Sequence, residues 1–308
     1  MTEPHRDDHD LGLAYDLDTI ARHMMGRRRA LAWFAGVGGA ALVAGCGGGG
    51  SESSDGTTTT STTTTTGTTT GTTTTTTGST TGSTSGTTTG GTCVVSSTET
   101  NGPYPADGTN QSSGATSNVL TQSGVIRSDV RPSFLSSTTV AQGVAVTLTI
   151  TLVNVNNSCA PLQNYAIYLW QCDANGAYSL YSLPTESYLR GVQTTDANGQ
   201  VTFTTIVPGC YEGRWPHIHF EVYASLAGTT TGRSAALISQ FAIPTAVCSA
   251  VYATSAYSGS VGPFSRVSLA NDNVFGDNSA AQLAQQTPTM SGSASAGYTA
   301  TVQVGVAV

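Results

Sequence analysis

Two histidines one residue apart, His217 and His219, are the side chains of this sequence best spaced to do chemistry. The chain holds five histidines, and the other three (His5, His9 and His23) fall in an N-terminal stretch expected to be removed. Ile218–Tyr223 alternates apolar and polar residues, as a strand does. Positions i and i+2 of a strand share a face, so the two imidazoles stand side by side. Imidazole is the commonest metal-binding side chain. Two of them hold an ion weakly, and further donors must come from Tyr, Asp or Glu if the cysteines are paired. Glu221 continues the same face and would complete a His-His-Glu set. Three such ligands on one straight strand, however, span about 13 Å, too far for a single ion. Tyr211, in the Pro208-Gly209-Cys210-Tyr211 loop that leads into the strand, is better placed. So is Tyr178, which follows the Asp173–Gly176 turn. Taken singly, each tyrosine reads as an ordinary strand-edge residue, Arg214 as a solvated cation and Gln240 as a strand-edge cap.

The elements that must position these residues are strands. Val146–Leu152 alternates strictly, and Tyr165–Trp170 is a nearly continuous apolar run that suits a strand buried on both faces. Val201–Val207, Ile218–Tyr223, Ser239–Ile243 and Thr299–Val306 follow. The turns Asp173–Gly176 and Asp196–Gly199 both end in Asn-Gly, a pair that tolerates positive φ. No amphipathic helix longer than two turns stands out, and Ser268–Val274 is the best candidate for a short one. Many short strands with turns between them predict an all-β fold, a sandwich or barrel.

Charged residues make up 9% of the chain and none of them is lysine, which excludes a P-loop lysine and any lysine Schiff base. A formal charge of −7 with scattered arginines excludes a basic nucleic-acid face. Residues 1–46 read as a signal peptide: Arg27-Arg28-Arg29 precedes the apolar run Ala30–Val43, too short to span a bilayer. The paired arginines resemble a twin-arginine export signal. Leu42-Val43-Ala44-Gly45-Cys46 resembles a lipobox, with Cys46 as the lipidated residue. Residues 47–92 are almost wholly Thr, Ser and Gly and are expected to form a disordered stalk. Residues 93–308 are long enough for one domain with a full core. Five cysteines remain there, Cys93, Cys159, Cys172, Cys210 and Cys248, which in an exported chain read as at least two bridges and one leftover thiol. Cys172 and Cys210 flank the candidate site and are the expected pair.

Four motifs, in order between Glu99 and Ile243, resemble the intradiol ring-cleavage dioxygenases. These are Gly102-Pro103-Tyr104, the run from Trp170 through Asp173 and Gly176 to Tyr178, Pro208–Tyr211, and Arg214–His219. The resemblance implies a prealbumin-like β-sandwich and a non-haem Fe(III) held by Tyr178, Tyr211, His217 and His219. It implies a catecholic substrate and O2 as partners, with the ring opened between its two oxygens to a muconate-type diacid. Tyr211 would release the metal and accept a substrate proton, and Arg214 would stabilise negative charge on the ring. Pro103 and Tyr104 would line the pocket mouth, and Gln240 matches the family's glutamine beside the substrate. Trp215-Pro216 stands where the family usually has Pro-Ala. The alternative is a stalk-mounted β-sandwich that binds carbohydrate or cell wall without catalysis. The expected location is outside the cytoplasm, lipid-anchored at the envelope or released, with a homo-oligomer left open.

Overall fold

The computed structural model describes residues 93–308, and the segment expected to be a signal peptide, Cys46 and the Thr/Ser/Gly stretch lie outside them. Nine strands make two sheets: β1 Ala145–Asn154, β2 Ala160–Pro161, β3 Ala166–Trp170, β4 Arg190–Thr194, β5 Gln200–Ile206, β6 His217–Tyr223, β7 Leu237–Ala242, β8 Thr289–Ser293 and β9 Gly297–Val306. In one sheet β1 is central, antiparallel to β5 (Leu148 opposite Phe203) and parallel to β9 (Leu148 opposite Ala300). β2 extends the β5 side and β8 closes the other. The second sheet runs β4-β3-β6-β7, antiparallel throughout, with Trp170 opposite His219 and His219 opposite Gln240. Three short helices follow: α1 Thr245–Tyr252, α2 Val261–Phe264 and α3 Ala280–Gln286. Among the described residues no helix is long and apolar enough to cross a membrane.

The alternation in β1 sends Val146, Leu148, Ile150 and Leu152 inward against Phe203 of β5 and against Ile167, Leu169, Ile218, Phe220 and Phe241 of the facing sheet. Each such side chain contributes about 1.5–3 kcal/mol by leaving water. β3 and β6 are buried at every position, so the second sheet is covered on its outer face too. Residues Ala106, Val119, Leu120 and Val125, with Leu180 and Tyr181, form that cover over Tyr168, Trp170 and Tyr223. The imidazoles of β6 therefore point into a second, smaller apolar layer and not into the sandwich core.

Two expectations are corrected here, and two strands were not foreseen. Ser268–Val274 is a run of turns, and the helices lie on either side of it. The side chain of Asp272 accepts the N–H of Val274 and Phe275, and such local bonds compete with helix formation. Cys172 and Cys210 are both free, as is Cys248; the disulfide found is Cys93–Cys159. The two site-flanking sulfurs instead lie against main-chain carbonyls, Cys172 Sγ 3.5 Å from Gly209 O and Cys210 Sγ 3.5 Å from Arg214 O. Strands β4 and β8 were not legible: Arg190-Gly191-Val192-Gln193-Thr194 and Thr289-Met290-Ser291-Gly292-Ser293 lack an alternating apolar face.

Candidate metal centre

β6 supplies both histidines. The loop before it and the turn after β3 supply both tyrosines. Asp173 Oδ1 accepts the N–H of Asn175 (2.8 Å) and Ala177 (3.0 Å), closing an Asx-type turn that delivers Tyr178. Gly209 lets the 208–211 loop nest against that turn. A Cβ there would lie 2.6 Å from Ala174 O and 2.7 Å from Asp173 O, closer than any side chain allows.

The result is a cluster of four donor atoms. Tyr178 Oη lies 3.3 Å from His217 Nε2 and 3.3 Å from His219 Nε2. Tyr211 Oη lies 3.3 Å from His217 Nε2, and the two Nε2 atoms are 3.0 Å apart. His217 Nδ1 donates to Trp215 O, so its Nε2 carries a lone pair turned into the cluster. The His219 ring stacks on Trp170 at 4.7 Å between centroids, and its Nδ1 is buried without a hydrogen-bond partner.

Burial, helped by the charge of Arg214, lowers the pKa of His217 to about 3, and burial, then His217, holds His219 well below its usual range. Burial also raises both phenols, Tyr178 with a further push from Tyr211. The protein alone thus presents neutral imidazoles and phenols to one another. A cation fits this arrangement. Ligand bonds of about 2.0–2.1 Å put neighbouring donors about 2.9–3.4 Å apart at coordination angles of 90–109°, which brackets the observed separations. Among the described residues no group of three or more His, Cys, Asp and Glu could hold a metal, so an ion here must draw on the phenolic oxygens. Phenolate with imidazole is a donor set suited to ferric iron.

Glu221 does not join the cluster. Its carboxyl group is bonded by Tyr223 and faces Asp107, and burial followed by Asp107 keeps it protonated well above the usual carboxylate range. The His-His-Glu arrangement is therefore not formed.

Arg214 is 2% exposed, with Nε 3.0 Å from Asp272 Oδ2 and Nη2 2.8 Å from Gln240 Oε1. Burial acts to discharge it, and Asp272 more than offsets that. Gln240 is fully buried, and its Nε2 donates to Thr100 O (2.8 Å), so its amide is engaged at both ends and holds Arg214. Gly102 sits over the cluster at φ +70°, where a Cβ would lie 3.3 Å from His219 Cε1. Pro103 and Tyr104, both half-buried, follow it, and the Tyr104 ring lies 4.7 Å from that of Tyr178. Sequence reasoning gave no role to Asp272 or to Arg190, which is fully buried and donates to Pro105 O and Tyr104 O beside Gly102. No local signal marks either one, since each meets its partners far along the chain, Asp272 with Arg214 and Arg190 with Pro105.

Residues 131–237 match the Dioxygenase family model. No curated protein matches. Among solved structures, an intradiol ring-cleavage dioxygenase from Tetranychus urticae superposes with a TM-score of 0.54 at 23% identity, over 70% of this chain and 95% of that one. A second dioxygenase crystal structure gives 0.53 at 23% identity over the same shares. The 3-chlorocatechol 1,2-dioxygenase from Rhodococcus opacus 1CP gives 0.42 at 16% identity, over 69% of this chain and 72% of that one. At these identities the likeness is one of fold.

Proposed function

We propose that this chain is an intradiol ring-cleavage dioxygenase, a non-haem Fe(III) enzyme that opens a catecholic ring with O2 between the two ring oxygens; the Dioxygenase family match over residues 131–237 and the shared fold support the reading. The observation that carries the reading is the four-donor cluster of Tyr178, Tyr211, His217 and His219, with separations of 3.0–3.3 Å and no carboxylate among the donors. When bound, ferric iron would supply Lewis acidity to a chelated catecholate.

The chain's own residues divide the remaining work. Tyr178 is 2% exposed and its N–H is held by Ser182 Oγ at 3.0 Å, so it is the fixed phenol. Tyr211 is only half-buried and sits in a loop outside any strand, so it is the phenol free to turn away and take a substrate proton at Oη. His217 is oriented by Trp215 O and His219 by the Trp170 ring, which fixes both Nε2 atoms before substrate arrives. Arg214 places a permanent positive charge beside the cluster, where negative charge on the opening ring would be stabilised. Gly102, Pro103 and Tyr104 limit the mouth and exclude water from the His219 side.

The test is expression with iron, followed by metal analysis, a visible spectrum and oxygen uptake with catechol, protocatechuate, hydroxyquinol and larger diphenols. We expect one iron per chain, a burgundy tyrosinate band and uptake with at least one diphenol. A colourless, iron-free protein would refute the reading. We also propose export through the Arg27-Arg28-Arg29 signal and lipid attachment at Cys46, with residues 47–92 as the tether. Fatty-acid labelling that is lost in Cys46→Ser tests this, and label retained there would exclude the anchor.

A further inference from the structure

We propose that Asp272 is a positioning residue of the ring-opening reaction, acting through Arg214 to aim the guanidinium at the four-donor cluster. The proposal rests on the reading of that cluster given above. An arginine carries five N–H donors in one rigid plane, and two contacts at different nitrogens fix that plane. Asp272 Oδ2 takes Nε at 3.0 Å and Gln240 Oε1 takes Nη2 at 2.8 Å. The Nη1 corner is then the part left to meet charge that develops on a bound ring.

Asp272 is itself held on every side. Its Oδ1 accepts the N–H of Val274 (2.8 Å) and Phe275 (2.9 Å), and its Oδ2 accepts the N–H of Trp215 (2.6 Å). The last bond needs a residue other than proline at 215, because proline has no N–H to give. Val274 and Phe275 pack with Trp215 and Ala242 in an apolar cluster of their own, which anchors the loop that carries the carboxylate. Gln240 extends the constraint to Thr100, two residues before the glycine that covers His219. Arg214 and Asp272 have side chains 2% and 0% exposed. An ion pair this deep is weak as a stabilising device, since a packed apolar pair commonly does as well. Orientation of a charge is what it supplies and an apolar pair cannot.

The experiment is a double-mutant cycle run with the diphenol of that panel, catechol, protocatechuate, hydroxyquinol or larger, that supports the fastest oxygen uptake by the wild type. Asp272→Asn keeps the size and removes the countercharge. Expected are a fall in kcat of about 10- to 100-fold from misaimed charge and a KM within about threefold. Iron content, the tyrosinate band and the anaerobic difference spectrum with that diphenol should stay as in wild type. In an Arg214→Met background the same change should cost less than about twofold, because effects that act through one group do not multiply. A kcat for Asp272→Asn within twofold of wild type, or a full multiplicative loss in the double variant, would overturn the proposal. If Asp272→Asn does not fold, Asp272→Glu, longer by one methylene, replaces it with the same expectations and the same overturning results. Wild-type protein without iron or oxygen uptake would refute the ring-opening reading itself, and this inference with it.

Discussion

Replacing Arg190 with methionine tests how the covering layer is held, independently of any reaction. Arg190 is fully buried and donates to Ser179 Oγ (2.9 Å), Ser179 O (2.8 Å), Pro105 O (2.9 Å), Tyr104 O (3.0 Å) and Tyr168 Oη (3.0 Å). Pro105 O keeps a second donor in Tyr168, and Ser179 Oγ keeps its bond to Tyr188 O. The carbonyls of Tyr104 and Ser179 lose the donor they have in Arg190. Each hydrogen bond lost to this cation costs about 1–3 kcal/mol. Methionine fills part of the volume and relieves the desolvation of the cation, so the net loss should be about 3–5 kcal/mol. For a domain of this size that lowers Tm by about 10 °C. Urea unfolding followed by calorimetry measures both. Because the lost bonds pin residues 104 and 105 at the mouth, KM for a diphenol should rise together with the fall in Tm. Arg190→Lys should recover less than half, since one ammonium cannot span four residues' acceptors. Unfolding of Arg190→Met within 1 kcal/mol of wild type would refute the argument.

Other outcomes follow from the same geometry. Tyr178→Phe should weaken the visible band and the iron content together, while a variant with full colour would place the phenolate elsewhere. Phe203→Ala, at a fully buried position of the sandwich core, should destabilise by about 3–5 kcal/mol in urea. Burial holds the Cys248 thiol well above its ordinary range. It should therefore resist iodoacetamide at pH 8 in the native protein and react once unfolded; rapid native labelling would contradict its placement. Non-reducing peptide mapping should recover Cys93 joined to Cys159 and no peptide joining Cys172 to Cys210.

Of the four-donor cluster, the two histidines were legible from a strand's period alone. Tyr178 and Tyr211 read singly as strand-edge residues, and only the ordered set of motifs that resembles the intradiol dioxygenases joined them to the histidines. The strands with a clean alternation were equally plain, since β1 and β6 sort core from cover by period alone. Arg190, by contrast, sits in a five-residue strand that holds a glycine and no apolar stripe, and nothing local marks it as buried. Helix α1 follows Pro244 and carries only small and apolar residues, so its face is set by what it packs on.

The chain by itself determined an all-β domain and a pair of histidines on one strand face, with Tyr178 and Tyr211 joined to them only through the resemblance of the motifs. Tertiary structure decided which charges are buried, which thiols stay unpaired and where Glu221 points. The physical reason is distance along the chain: Arg214 meets Asp272 across 58 residues and Gln240 meets Thr100 across 140. No periodicity encodes such a pairing, which exists only once two sheets and their covering segment have closed.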